Sequence, residues 1–130
     1  GMVSEYVPAG YPGGRAIVPH GMSVALNAPA VFRFTAPADP ERHLEAARLL
    51  GADVTDAGPE DAGDVLAVVI VRLLRAIDMP NGLAAVGYSP DDVGRLTAGT
   101  LRQHRVTKLS PRPAEESDLR RLFLDSMTLW

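Results

Sequence analysis

The stretch Glu60-Asp61-Ala62-Gly63-Asp64-Val65-Leu66-Ala67-Val68-Val69-Ile70-Val71-Arg72-Leu73-Leu74-Arg75-Ala76-Ile77-Asp78 decides the fold. Ala62, Val65, Leu66, Val69, Ile70, Leu73, Leu74 and Ile77 recur at steps of three and four, which puts them on one face of an α-helix. Asp61, Asp64, Arg72 and Arg75 fall away from that face. Val68 and Val71 widen the stripe, so the pattern predicts a central core helix over 60–78, with Leu66, Val69, Ile70, Leu73 and Leu74 at the heart of the core. Pro80-Asn81-Gly82 ends it. The apolar run 65–71 is stopped by Arg72 and falls far short of the roughly 20 residues that span a bilayer.

On either side, start and stop signals mark four further helices. Pro19-His20-Gly21 leads into Met22, Ala25, Leu26, Pro29 and Phe32, which predicts a helix near 20–34 that Pro29 kinks or splits. Asp39-Pro40-Glu41 offers a cap, a proline at the first helical position and an early acid, and Gly51 is the stop of a helix near 40–50. Ser89-Pro90-Asp91-Asp92 opens a helix near 90–103, although Gly94 and Gly99 weaken it and leave its stability to packing. Glu115, Glu116 and Asp118 suit the positive end of a last helix near 114–129, with Leu119, Leu122, Phe123, Met127 and Trp130 on one side. Short extended stretches at 16–18 and 31–35 are the only strand-like alternatives, and no repeat is present. The expectation is therefore an all-α, multi-helix domain over 19–130, preceded by an irregular arm over 1–18 rich in Pro and Gly.

The length of 130 residues fits one domain, and zero Cys excludes disulfides, thiolate metal sites and thiol nucleophiles. A net charge of -3 argues against general binding to nucleic acid or to an anionic membrane. With no apolar span and no basic-then-apolar leader, the expected location is cytoplasmic. Gly1-Met2 reads as a tag remnant followed by an initiator methionine. Charge is uneven: residues 1–94 carry 6 basic and 12 acidic side chains, residues 95–130 carry 7 and 4. Arg95, Arg102, Arg105, Lys108, Arg112, Arg120 and Arg121 could form an anion site for a carboxylate or phosphate, or a solvated face pairing with Glu115, Glu116 and Asp118.

No catalytic residue stands out. Gly-x-Ser-x-Gly, Gly-x-Gly-x-x-Gly and phosphate-loop patterns are missing. His20, His43 and His104 are too far apart to form a local ligand pair. His43, next to Arg42, and His104, among Arg102, Gln103 and Arg105, read as surface residues. His20, between Pro19 and Gly21 at a helix start, could reach a metal or cap a backbone group.

Pro19-His20-Gly21-Met22, continuing through Asn27-Ala28-Pro29-Ala30-Val31-Phe32, resembles the helix start of the C-terminal domain of iron-containing (group III metal-dependent) alcohol dehydrogenases. Glu41-Arg42-His43-Leu44, Leu50-Gly51-Ala52-Asp53, Gly82-Leu83-Ala84-Ala85-Val86-Gly87-Tyr88 and Val106-Thr107-Lys108-Leu109-Ser110-Pro111-Arg112-Pro113 extend the resemblance, the last being most similar to the hydroxyacid-oxoacid transhydrogenase branch. The resemblance implies a two-domain oxidoreductase: a dinucleotide-binding domain using NAD(P), a helical domain, and a divalent iron or zinc between them held by one aspartate and three histidines. His20 matches the last of those ligands; the other three, and the cofactor loops, would precede residue 1. One ligand does not hold a catalytic divalent ion. The chain is therefore expected to carry neither metal nor nicotinamide alone and to be inactive alone, as a detached metal-side domain complemented by a separately encoded N-terminal part or as a remnant. The alternative is a helical module that binds a small carboxylate or a protein partner. An apolar surface near His20 and Met22, with Tyr6 and Tyr11 of the arm covering part of it, is expected to favour a homo-oligomer.

Overall fold

A computed structural model describes residues 4–10, 13–103 and 107–130. Among them the regular structure is helical, with no strand: α1 (His20–Thr35), α2 (Pro40–Leu49), α3 (Ala62–Ala76), α4 (Val93–Leu101) and α5 (Glu116–Asp125), with short 3-10 turns at Ala36–Ala38, Pro59–Asp61, Ala84–Val86 and Pro90–Asp92. The domain is all-α.

Local chemistry starts four of these helices, and α1 begins after Pro19 with no side-chain cap. The Asp39 carboxylate accepts the Arg42 N–H at 3.1 Å while Pro40 occupies the first turn of α2. Three other entries share one device, an aspartate that accepts the backbone N–H three residues before it. Asp61 takes Gly58, Asp92 takes Ser89 and Asp118 takes Glu115, at 2.9, 2.9 and 3.0 Å. α1 runs through Pro29 without splitting. The missing N–H removes one helical bond, but the ring is fully buried, and that packing offsets the loss. The alternative of an extended stretch at 31–35 is thereby excluded, and 16–18 forms no strand.

α3 packs against both α1 and α2, while α5 packs against α4 and α1. Gly63 sets the α1–α3 approach: a Cβ there would lie 2.9 Å from the Arg33 Cα. Two apolar clusters result. Ala47, Leu66 and Val69 form one, between α2 and α3; Leu26, Leu83, Val86, Val93 and Met127 form the other, with Val18 and Met22 against it.

The stripe on α3 is correct in phase but wrong in reach. Leu66, Val69 and Leu74 are buried and Ile70 is half-buried, whereas Leu73 is 41% exposed, Val68 62% and Ile77 69%. Leu73 and Ile77 continue the line that Leu66, Val69 and Ile70 bring into the cluster with α2 and the 52–54 segment, but lie past that cluster, whereas Leu74, at the next position round the helix, is still buried. Periodicity finds the face of a helix and says nothing of how far along it a neighbour extends.

Candidate functional site

His20 is the first residue of α1, directly after Pro19 (φ −53°, ψ 143°), and its side is exposed. Its backbone is well held: the Ser23 hydroxyl donates to the His20 carbonyl at 2.8 Å, and the Ser23 N–H to the Pro19 carbonyl at 2.9 Å. Val18 and Met22 on either side pack into the second cluster. The imidazole itself has no hydrogen bond or ion pair among the described residues. An anchored helix tip thus presents a free ring.

From His20 an exposed line continues along α1 through Val24, 56% exposed, to Val31, 37% exposed. These positions fall on the side of α1 opposite the buried Leu26, Pro29 and Ala30. Of the apolar surface expected near His20 and Met22, the exposed side chain is Val24, while Met22 itself is half-buried in the core.

His43 departs from the surface role read for it. It is 8% exposed, its Nδ1 lies 2.7 Å from the Asp39 carbonyl, and its Nε2 lies 3.0 Å from the Thr35 hydroxyl. A carbonyl only accepts, so Nδ1 carries the proton in this contact, and Phe32 packs edge-on at 5.8 Å. His43 joins the start of α2 to the end of α1 and does structural work. The missed signal was its own helical phase, since His43 and Ala47 are one turn apart on the inner face of α2. His104 and Arg105 lie outside the described residues.

Among the described basic residues of 95–130, three are engaged one by one with partners of their own. Arg95 pairs with Asp92 at 2.6 Å and Arg121 with Asp125 at 3.1 Å, while Arg112 stacks over the Phe34 ring at 4.2 Å and donates to the Phe34 carbonyl. These partners replace the expected pairing with Glu115, Glu116 and Asp118. Arg102, Lys108 and Arg120 are exposed. Two open depressions, of about 430 and 240 Å³, are lined by Arg33, Pro37 and Asp64 and by Phe34, Arg121 and Leu122 among others; neither reaches His20. In the larger one the Arg33–Asp64 pair, at 2.6 Å, neutralises its own charge.

Two carboxylates are held in the charged form. The Asp53 carboxyl sits below its ordinary value because the Thr55 hydroxyl and N–H donate to it, and Asp92 does so chiefly because of the Ser89 N–H. Both serve turns or caps. Among the described residues no group of three or more His, Cys, Asp or Glu side chains could hold a metal ion. His20 alone does not fit a resident divalent ion, which needs about three protein ligands.

Residues 10–127 match the Fe-containing alcohol dehydrogenase family, C-terminal, and the chain belongs to that family. It is 52% identical over 130 residues to the probable hydroxyacid-oxoacid transhydrogenase, mitochondrial, of Dictyostelium discoideum, covering 99% of this chain and 24% of that protein. It is also 52% identical to the hydroxyacid-oxoacid transhydrogenase, mitochondrial, of Homo sapiens, covering 100% of this chain and 28% of the relative. The crystal structure of a 1,3-propanediol oxidoreductase superposes with a TM-score of 0.75 at 27% identity, over 84% of this chain and 28% of that one. The chain thus spans about a quarter of the length of the relatives it matches. The expected cytoplasmic location is overturned by these relatives, which are named mitochondrial; no helix among the described residues is long and apolar enough to cross a membrane.

Proposed function

We propose that this chain is the metal-side helical domain of a hydroxyacid-oxoacid transhydrogenase-like oxidoreductase and that His20 is one ligand of a divalent metal completed by residues outside it. The observation that carries the reading is His20 itself: a histidine in the family's Pro-His-Gly motif, rigidly seated at a helix tip and with a free ring. The exposed Val24 and Val31 beside it supply an apolar border for a covering domain. By the family resemblance, the nicotinamide pocket and the other ligands would lie in the portion of the relatives that this chain, spanning 28% of the Homo sapiens protein, does not cover. Alone, the chain is inactive. Joined to that portion, it serves hydride transfer between 4-hydroxybutyrate and 2-oxoglutarate, the reaction that the transhydrogenase resemblance implies. In the absence of a covering domain the same apolar residues favour a homo-oligomer.

The test is complementation. A transhydrogenase relative cut before its Pro-His-Gly motif is mixed with this chain, and oxidation of 4-hydroxybutyrate is followed with 2-oxoglutarate as acceptor. Activity with the intact chain and its loss with His20→Ala are expected. Failure to form a complex, or activity indifferent to His20→Ala, contradicts the proposal.

A further inference from the structure

Between α3 and the turn at 84–86, Asn81-Gly82 does more than end a helix. The Asn81 Oδ1 accepts the Leu129 N–H at 2.8 Å and the Trp130 N–H at 3.0 Å, and its Nδ2 donates to the Trp130 carbonyl. Next to it the Leu83 N–H donates to the Ser126 carbonyl and the Ala84 N–H to the Met127 carbonyl, at 2.9 and 3.0 Å. Gly82 (φ +76°) is buried, and a Cβ there would lie 2.3 Å from the Met127 oxygen. One carboxamide therefore holds the segment 129–130, and a glycine with no side chain lets the preceding residues 126–127 come close.

An asparagine followed by glycine is also the dipeptide most open to attack on its own amide. The Gly82 nitrogen adds to the Asn81 Cγ, the Cγ–Nδ2 bond breaks, and the Gly82 proton leaves with ammonia. Water then opens the five-membered imide at either carbonyl, giving aspartate or isoaspartate. In the folded chain this requires the Asn81 side chain to turn from residues 129–130 toward Gly82, whose N–H is engaged with the Pro80 carbonyl at 2.9 Å. All three side-chain bonds must break first.

We propose that Asn81 is a deamidation site gated by the docked segment 129–130: the amide survives while the segment is seated, and is converted once it lifts. The aspartate product keeps two acceptor oxygens for the Leu129 and Trp130 N–H groups, whereas isoaspartate draws its former side-chain carbon into the main chain and loses that placement. The aspartate loses the Asn81 Nδ2 donor to the Trp130 carbonyl and sets a carboxylate against that oxygen, so the segment is released more readily after conversion. The step is irreversible.

The full chain, the chain lacking 129–130 and a peptide of residues 79–84 are incubated in mildly alkaline buffer, and conversion at Asn81 is followed by peptide mass mapping. In the full chain the rate is expected to be at least about tenfold below that of the peptide, equivalent to an opening free energy of roughly 1.4 kcal/mol. The shortened chain is expected to approach the peptide. A full chain that reacts as fast as the peptide, or a folded shortened chain no faster than the full one, overturns the proposal. Amide exchange at Leu129 and Trp130 in the full chain gives a second measure that needs no truncation. Their protection should match the slowing at Asn81, and slowing far beyond it would place the gate elsewhere. Asn81→Asp should speed exchange at the Trp130 amide; unchanged exchange contradicts the release.

Discussion

Two of the histidines behave in opposite ways, and substitution separates them. His20→Ala removes an exposed ring with no bonded partner, so the stability of the isolated chain should stay within about 0.5 kcal/mol of the parent in urea unfolding. His43→Ala strips the Asp39 carbonyl and the Thr35 hydroxyl of a partner inside the fold and opens the space against Phe32. A loss of about 1–3 kcal/mol is expected from the same measurement. The sequence placed these residues unevenly. The exposed helix-tip position of His20 was readable because a proline, a glycine and a helix start surround it, whereas the burial of His43 was carried only by its phase with Ala47 on the inner face of α2, which the neighbouring Arg42 obscured. Asn81 was legible only as a stop signal, since the segment that it holds lies 48 and 49 residues away.

At the level of elements, α3 and the capped entries carry the sharpest expectations. Leu66→Ala, at a 2% exposed position, should cost about 2–5 kcal/mol, whereas Leu73→Ala, at 41% exposure, should cost well under that range. Equal losses would show that a neighbour covers the end of α3 in solution. Acidification tests the caps. Asp92 titrates below its ordinary 3.8 because the folded chain donates the Ser89 N–H to its charged form. Its contribution is complete above the unfolded value and is lost as the pH falls through the lower, folded one. Unfolding followed from pH 5 downward should show this loss in the parent, and a smaller loss in Asp92→Asn, which has no charge to lose. Helix starts were readable from sequence because caps are local chemistry; each helix ended within a few residues of its stop signal, and α5 ended early, at Asp125, because the chain turns there to pair with 83–84.

For the whole molecule, fold class and family were legible because several motifs stand in order along the chain, and the family match then covers residues 10–127. The covering proposed for the His20 face was not legible, because no pattern in a single sequence describes the surface of a partner. Sedimentation over a range of concentrations should show self-association of the isolated chain, weakened by Val24→Ser; a strict monomer at high concentration contradicts the homo-oligomer. The most direct measurement of the central claim is the elemental metal content of the complex between this chain and a transhydrogenase relative cut before its Pro-His-Gly motif. Close to one divalent ion per complex is predicted, with neither part retaining it alone and with its loss in His20→Ala; a complex that keeps its metal without His20 would contradict the account.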